Sequence, residues 1–450
     1  MTSSESMRRR CLAVVLAAGE GKRMRSRKPK VLHELGGCSM LAHVLASVAA
    51  AGADRIAVVV GAGQDSVVAE AKRAAPCAEI FVQSSPLGTA HAVLAVKAAF
   101  AEAFDDLLIA FADTPLIRPA TYSSLRTALA EDGAAVVVLG FEAQDPKGYG
   151  RLILDGGRLV AIREHKDLYE SELGLSICNA GVMALAGQHA LTLLESIGNT
   201  NAQSEYYLTD AVAIAQARNL GAVASRVAAD EVLGINDRQQ LAAAEAVLQS
   251  RYRAEAMQAG VTFHDPGSVH LSFDTEFAVD VTIEPNVFFG PGVSVGAGSV
   301  IRAFSHLDGA KVGENCIVGP FARLRPGAEL SAGVHVGNFV EVKAAWLGPG
   351  VKANHLAYIG DATIGARTNI GAGAITCNYD GFTKFKTEVG EGVFIGVNSA
   401  LVAPVKIGAG AYVGSGSVIT ENVEADALAL ARERQIQKPG WARAFRAKHK

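Results

Sequence analysis

The first half of the chain alternates short apolar runs with longer amphipathic segments. The apolar runs are rich in Val, Ile and Leu and predict buried strands at Leu12–Leu16, Ile56–Val60, Leu107–Phe111 and Ala135–Leu139. The Ala-rich segments between them predict helices at Met40–Ala51, Val67–Ala75 and Thr89–Ala103. Such alternation predicts an α/β domain with a mainly parallel sheet covered on both faces. Because ligands of these sheets bind beyond the carboxyl ends of the strands, we expect chemistry in the loop after the first strand.

The second half repeats with a period of six residues. Aliphatic or aromatic residues recur at this spacing in three series: Ile283, Phe289, Val295 and Ile301; Val312, Val318, Leu324, Leu330, Val336 and Val342; Val389, Ile395, Leu401, Ile407, Val413 and Ile419. Neither a helix nor an ordinary strand keeps a period of six in register over so long a stretch. A left-handed parallel β-helix of hexapeptide repeats does, because three short faces close each coil and the repeating residue points inward.

Two interruptions divide the chain. A charged, Ala-rich pattern from Asn236 to Ala259 predicts a connecting helix that Gly260 ends. Between Ile370 and Val389 the period of six fails, and the polar stretch there (Thr376–Gly381) predicts an extruded loop of the kind that commonly carries binding function. We therefore expect an α/β domain at residues 1–236, a linker helix at 237–260, a β-helix domain at 261–430 and a basic tail at 431–450.

Composition narrows the functional classes. Half of the 450 residues are hydrophobic and 19% are charged, which excludes a disordered chain, and the net charge of −3 argues against nucleic-acid binding. No apolar run reaches about 18 residues, so we expect no membrane insertion.

Arg8–Arg10 followed by the short apolar run Cys11–Ala18 superficially resembles a secretory leader, but a buried first strand is the favoured interpretation. Six cysteines without paired spacing favour a reducing compartment, and we expect a cytoplasmic protein.

The loop after the first strand carries glycines and cations. It reads Leu16-Ala-Ala-Gly-Glu-Gly-Lys-Arg-Met24 and is followed by Lys28-Pro29-Lys30. Glycines let backbone N–H groups approach phosphate oxygens, and the cations neutralise them. The string is neither a Walker A loop nor a dinucleotide fingerprint, since Met24 stands where the third Gly would be. The alternative is a tight turn followed by a solvated basic segment.

This string resembles the signature of the sugar-nucleotide pyrophosphorylases, LxxGxGxRM followed by a Pro-Lys pair. Together with the hexapeptide repeat, it resembles one bacterial family from about Leu12 to Trp441: the bifunctional N-acetylglucosamine-1-phosphate uridylyltransferase / glucosamine-1-phosphate N-acetyltransferases. The resemblance implies a Rossmann-like nucleotidyltransferase domain with Mg²⁺, and a homotrimer through the β-helix. It also implies UTP and acetyl-CoA as co-substrates of two consecutive reactions, acetylation and then uridylyl transfer, that make UDP-N-acetylglucosamine for cell-wall and outer-membrane polysaccharide.

For uridylyl transfer, the resemblance implies charge neutralisation by Arg23 and Lys30 and a Mg²⁺ site at Asp113 and Asn236. It assigns UTP contacts to Leu16, Ala17, Ala18, Gly19, Lys30, Gln83, Gly88, Thr89 and Asn236, with Gln83, Gly88 and Thr89 at the uracil, and sugar contacts to Gly150, Glu164 and Asn179. Without the resemblance, Asp113 could as readily be a capping residue as a metal ligand, and Gln83 could as readily be a solvated residue as a base contact. Two positions depart from the family pattern: Ala112 replaces a usual Gly, and Lys22 replaces a small hydroxyl residue. Lys22 either adds charge at the triphosphate or faces solvent.

For acetyl transfer, the resemblance implies His355 as general base, although alone it would be an ordinary surface histidine. It assigns sugar-phosphate contacts to Arg325, Lys343, Tyr358 and Asn369, and acetyl-CoA contacts to Ala372, Asn378, Tyr379, Val397, Ser415 and Arg432. Val397 and Ser415 depart from the family pattern. Two other interpretations stay open: a monofunctional pyrophosphorylase whose β-helix only assembles or regulates, and a non-catalytic trimeric scaffold. The basic end, with Lys438 and Arg443, is a solvated tail or reaches a neighbouring subunit's coenzyme.

Overall fold

The computed structural model describes residues 9–449 and divides the chain into two compact units, with the boundary between Leu248 and Gln249. The helix predicted to connect the domains is present at Arg238–Gln258 and runs across that boundary. The finer division into four segments stays a prediction. None of the helices described over residues 9–449 is long and apolar enough to cross a membrane.

The first unit contains the predicted alternation of strands and helices. Its strands are Cys11–Leu16, Glu34–Leu35, Cys38–Ser39, Arg55–Gly61, Glu79–Gln83, Asp106–Phe111, Val136–Glu142, Arg151–Asp155, Arg158–Arg163, Ile177–Ala186 and Ala222–Val227. Its other α-helices are Met40–Ala50, Asp65–Ala74, Thr89–Leu94, Pro119–Glu131, Gly187–Glu195 and Asp210–Ala217. The single helix expected at Thr89–Ala103 was wrong. The α-helix ends at Leu94, and Lys97–Ala101 is a 3₁₀ helix, because tight turns at Val96 and Ala99 carry the fully buried Val96 into the core.

The sheet of this unit is mainly parallel, as predicted. Cys11–Leu16 is an interior strand and pairs in parallel with Arg55–Gly61 on one side and Asp106–Phe111 on the other. Ile177–Ala186 runs antiparallel to Asp106–Phe111 and Val136–Glu142, which flank it, and the attached hairpin of Arg151–Asp155 and Arg158–Arg163 is also antiparallel. Leu12, Ala13, Val14 and Val15 are fully buried because both faces of the sheet are covered. Parallel pairing places the carboxyl ends of the central strands at one edge, where the glycine-bearing loop begins.

The second unit is the predicted left-handed β-helix, and all of its strand pairings are parallel. The first face comprises Thr262–Phe263, Thr282–Ile283, Val300–Ile301, Ile317–Val318, His335–Asn338, Lys352–His355, Asn369–Ile370, Phe394–Ile395, Tyr412–Val413 and Leu428–Ala429. The second face comprises Phe288–Phe289, His306–Leu307, Arg323–Leu324, Ile375–Cys377, Ala400–Val402 and Val418–Ile419. The third face comprises Glu276–Phe277, Ser294–Val295, Ala310–Val312, Ala328–Leu330, Thr387–Val389 and Val405–Ile407. Glu341–Leu347 and Tyr358–Ile364 bend round the corner between these two faces.

The interior of the β-helix is filled by the residues of the six-residue period. Ile283, Val318 and Val336, for example, are fully buried in one continuous apolar core. The extruded loop is present between Cys377 and Thr387 and is closed by an antiparallel bridge from Tyr379 to Lys384. A short basic helix, Trp441–Lys448, follows the last coil and is exposed along its length.

Asp106 is the most buried carboxylate of the first unit's sheet, and we expect it to stabilise that unit. Its side chain is fully buried and accepts from Arg9 Nη2 at 2.5 Å and from Arg126 Nε at 3.1 Å. Removing one partner of a buried ion pair leaves the other charge uncompensated, so Asp106→Ala should lower the free energy of unfolding by about 3 kcal/mol. Urea unfolding followed by circular dichroism measures this loss.

The neighbouring carboxylate provides the control. Asp105 is exposed and accepts one backbone hydrogen bond, from Arg10 N at 2.7 Å. Asp105→Ala should therefore cost no more than about 1 kcal/mol. Equal losses from the two variants would contradict a special role for the buried pair.

Candidate active sites

A cleft of about 320 Å³ opens at the carboxyl edge of the parallel sheet. Its lining includes nine of the residues predicted for uridylyl transfer: Leu16, Ala17, Ala18, Gly19, Lys30, Gln83, Gly88, Thr89 and Asp113. These residues come from different loops that follow different strands. The register of the sheet brings them together, since Leu16 pairs with Phe111 and the strand ending at Gln83 lies on the other side, beyond Arg55–Gly61.

Lys30 lies between the two residues predicted to bind the metal. Its Nζ is 2.5 Å from Asp113 Oδ2 and 3.2 Å from Asn236 Oδ1, and the lysine side chain is only 10% exposed. Gly21 makes room for it, because a Cβ on Gly21 would lie 2.4 Å from Lys30 Cβ. The second glycine of the signature is therefore required by the packing of the lysine as well as by its own positive φ of 65°.

The loop predicted to contact uracil is held in place by hydrogen bonds. Gln83 is buried, and its Nε2 donates to Gly88 O at 3.2 Å. Thr89 Oγ1 accepts from Leu208 N at 2.9 Å. Gly88 has a φ of 118°, and a Cβ there would lie 2.6 Å from the backbone of Tyr206. The side-chain amide oxygen of Gln83 and the nearby backbone remain available to the edge of a base in the cleft.

The three residues predicted to contact the sugar line an adjoining pocket of about 260 Å³. Asn179 N donates to Gly150 O at 2.9 Å, and a Cβ on Gly150 would lie 3.4 Å from Glu164 Oε2. Burial raises the pKa of the Glu164 carboxyl, and Asp167 and Asp210 raise it further, against the Thr209 hydroxyl that donates to it at 3.2 Å. The pocket therefore offers an amide, a backbone turn and a partly buried carboxyl, which are groups that can bind sugar hydroxyls.

Three other residues noted in the sequence do not line the nucleotide cleft. Arg23 is exposed and does not line the cleft. Lys22 is 87% exposed and pairs with Glu20 at 2.7 Å, which favours the solvent-facing interpretation. Ala112 is fully buried, and its N donates to Leu16 O at 3.0 Å, so the replacement of Gly adds a methyl group to the core.

In the second unit, His355 is exposed and is oriented by a residue that the sequence reasoning missed. His355 Nδ1 lies 2.7 Å from Asn338 Oδ1. Since a carbonyl oxygen can only accept, this contact places the proton on Nδ1 and leaves Nε2 free to accept another. The hexapeptide repeat could have identified Asn338, because Asn338 and His355 are register partners on successive coils of the first face.

The coenzyme positions predicted on the first face continue the same column. Lys352 pairs with Asn369, Asn369 with Phe394, and Phe394 with Tyr412. The residues three positions after these four are, in the same order, His355, Ala372, Val397 and Ser415. Stacked parallel strands lie about 4.8 Å apart, so these residues form a straight column along one edge, with the imidazole at its head.

The predicted sugar-phosphate residues lie on the second face, across one corner from His355. Arg325, Lys343 and Gly360 occupy one register column there. A Cβ on Gly360 would lie 2.3 Å from Tyr358 Oη, so the phenol lies over this glycine, beside Lys343. Arg325 Nη1 donates to Glu341 Oε1 at 2.8 Å, and Glu341 is a second residue that the sequence reasoning missed.

The extruded loop joins this group through Asn378. Asn378 is buried, and its Nδ2 donates to Asp361 Oδ2 and contacts Tyr358 Oη at 3.5 Å. Tyr379 is 59% exposed, and its hydroxyl donates to Gly381 O within the loop. Two predicted residues lie apart: Asn369 is further back on the first face, and Arg432 is exposed after the last coil.

Comparison with other proteins agrees with the fold predicted for each half of the chain. Residues 13–231 match the MobA-like NTP transferase domain, and residues 386–421 match the bacterial transferase hexapeptide of six repeats. The bifunctional protein GlmU of Azorhizobium caulinodans is 59% identical over 439 residues, which is 98% of each chain. That of Bradyrhizobium sp. is 60% identical over 438 residues (97% of this chain and 98% of the relative), and that of Agrobacterium fabrum is 52% identical over 444 residues (99% and 98%).

These full-length similarities decide between the alternatives that the sequence left open. The relatives carry both halves, so neither a lone pyrophosphorylase nor a non-catalytic scaffold describes the chain. It acetylates glucosamine 1-phosphate with acetyl-CoA and transfers a uridylyl group from UTP to N-acetylglucosamine 1-phosphate. The chain belongs to the family of bifunctional GlmU proteins.

Proposed function

We propose that the cleft and the sugar pocket of the first unit perform uridylyl transfer and that the corner beside His355 performs acetylation. The observation that carries the first assignment is the convergence of Lys30, Asp113 and Asn236 at the mouth of the parallel sheet. UTP would lie along Ala17–Gly19, Gln83 and Gly88-Thr89, and the sugar against Gly150, Glu164 and Asn179.

Mg²⁺ fits the oxygens of Asp113 and Asn236. Both oxygens converge on one cation, the Lys30 ammonium, at 2.5 and 3.2 Å. Over residues 9–449 no cluster of three or more His, Cys, Asp or Glu side chains could hold a metal ion. Magnesium is commonly bound by one or two protein oxygens, with substrate phosphates and water completing its shell. Bound there, it would supply charge neutralisation at the phosphates.

Uridylyl transfer needs no nucleophile from the protein. A phosphate oxygen of N-acetylglucosamine 1-phosphate attacks the α-phosphorus of UTP, and the bond to pyrophosphate breaks as the new P–O bond forms. The chain holds the two substrates in line and neutralises their charge with Lys30 and Arg23, with backbone N–H groups of Ala18 and Gly19 at the phosphates. Because Arg23 is exposed in the structure, its part requires the guanidinium to turn towards bound phosphate.

Acetyl transfer uses His355 Nε2 as the base. The amine of glucosamine 1-phosphate attacks the thioester carbonyl carbon of acetyl-CoA, and its proton passes to Nε2. The C–S bond then breaks, and the coenzyme leaves as a thiol after taking up a proton. Asn338 holds the tautomer that keeps Nε2 free, and Arg325, Lys343 and Tyr358 hold the sugar phosphate. The column Ala372, Val397 and Ser415 offers a straight edge to the extended arm of the coenzyme, and Arg432, Asn369 and Tyr379 complete the assignment.

The β-helix assembles as a homotrimer in this proposal, and an exposed aromatic ladder supports it. Phe304, Phe321 and Phe339 lie one coil apart at one corner, with ring centroids 4.9 and 5.3 Å apart, and are 45–57% exposed. Each has a positive φ, a conformation that bulky residues rarely adopt. Aromatic residues kept at such positions, in the corner beside the Asn338–His355 column, are suited to bury against a second copy of the chain.

The cytoplasm is the compartment that fits these reactions. All six cysteines lie within residues 9–449, and none of them forms a disulfide. UTP and acetyl-CoA are both cytoplasmic metabolites, which agrees with a reducing environment.

His355→Ala should abolish acetyl transfer and spare uridylyl transfer. Loss of a general base lowers kcat by roughly 100- to 10,000-fold, whereas the cleft of the first unit is untouched. Separate assays of coenzyme release and of pyrophosphate release measure the two rates. Asn338→Ala should lower acetyl transfer by less, and His335→Ala, which removes another histidine of the same face, should change neither rate. Equal loss of both activities in His355→Ala would refute the assignment.

Lys30→Gln should have the opposite selectivity. Removing a buried cation that stabilises developing charge should lower uridylyl transfer roughly 100- to 1,000-fold and leave acetyl transfer unchanged. The control is Lys22→Gln, which removes an exposed lysine from the same loop and should change the rate less than about twofold, as its charge is screened by solvent. A large effect at Lys22 would show that it reaches the triphosphate.

Phe321→Asp should break the assembly. A charge in the middle of the aromatic ladder cannot be buried without a partner, so the variant should elute as a monomer in size-exclusion chromatography with light scattering. Acetyl transfer should fall with it and uridylyl transfer should persist. Leu173→Asp, which changes an equally exposed residue of the first unit, should remain trimeric. A trimeric, fully active Phe321→Asp would place the interface elsewhere.

A further inference from the structure

Arg151 is a buried cation without a carboxylate partner. The residue is 1% exposed and is among the largest fully buried side chains of the chain. No carboxylate among residues 9–449 lies within ion-pair distance of its guanidinium, and its Nε has no hydrogen-bond partner. Arginine stays protonated in proteins, so burial of this group works against stability unless the site gains something from it.

The contacts that Arg151 does make lead to the sugar pocket. Its Nη1 donates to Tyr149 O at 2.5 Å and lies 3.8 Å from Cys178 Sγ. Tyr149 precedes Gly150 and Cys178 precedes Asn179, the two positions whose backbones are joined by the bond from Asn179 N to Gly150 O. Cys178 and Arg151 are also register partners across the strands that form the pocket wall.

We propose that Arg151 is a positioning residue for the sugar pocket: its guanidinium fixes the turn at Tyr149 against Cys178 and so sets the spacing of Gly150 and Asn179. It does not line the pocket, so it would not touch a bound sugar. The proposal rests on the assignment of this pocket to the sugar in the proposed function.

Comparison with a second buried arginine separates this role from a purely structural one. Arg126 is also largely buried, but it pairs with Asp106 and donates to three backbone carbonyls, those of Arg9, Ala51 and Gly52. Its contacts compensate its charge, so they stabilise the fold. Arg151 has one carbonyl and a weakly accepting sulfur in place of a carboxylate, and an apolar side chain of similar length would fill its space without a buried charge.

Arg151→Met in the full-length chain is the test. We expect the KM for N-acetylglucosamine 1-phosphate to rise roughly tenfold or more, because misplacement of binding groups by a fraction of an ångström is costly. The KM for UTP and the rate of acetyl transfer should stay within about twofold. The thermal unfolding midpoint should be unchanged or higher, whereas Arg126→Met should lower it and leave the KM of the folded enzyme unchanged.

Three outcomes overturn the proposal: an unchanged KM for the sugar phosphate, an equal rise in both KM values, or loss of stability alone. Should Arg151→Met fail to fold, Arg151→Lys decides, since it keeps the charge and one donor and should raise the same KM by a smaller factor. Asn179→Ala tests the pocket itself. If Asn179→Ala leaves that KM unchanged, the pocket assignment fails; if it raises the KM and Arg151→Met does not, only the role of Arg151 fails.

Discussion

Parallel pairing of strands in register is the constraint on which both candidate active sites depend. In the first unit it makes Leu16 a neighbour of Phe111, so the loops that carry Gly19 and Asp113 begin at the same edge. In the second unit it places one residue of every coil above the next, so His355 stands above Ala372 and below Asn338. Antiparallel pairing would send alternate loops to opposite ends of the sheet and would scatter these groups.

The two units use this constraint in different ways. The α/β unit collects dissimilar loops around one point, and the resulting site is compact, with Lys30 almost completely enclosed between its partners. The β-helix repeats one short element and produces a linear site along an edge. A compact site suits the bringing together of two phosphates, and a linear one suits a long coenzyme with a reactive end. The geometry of each site therefore follows from the way in which its strands are connected.

Much of this architecture could be predicted from the sequence, because hydrophobic periodicity reports directly on burial. The four predicted strands of the first unit and the inward residues of the β-helix are examples. The break in the helix after Leu94 could not be predicted, since Ala-rich segments have high helix propensity wherever they occur and the packing of Val96 decides. Asn338 and Glu341 were missed for a related reason: each contacts a residue on the next coil or the previous one, so the contact depends on register and not on a local motif.

The loop between Cys377 and Thr387 shows what a stacked coil tolerates. Strands resume their pairing immediately after it, as Asn369 with Phe394 and Thr363 with Glu388, so the insertion is absorbed entirely at one corner. A segment in that place can change in length or composition while the rungs on either side keep their alignment. The corner is therefore a natural point of divergence, at which a loop can be remodelled on an unaltered frame.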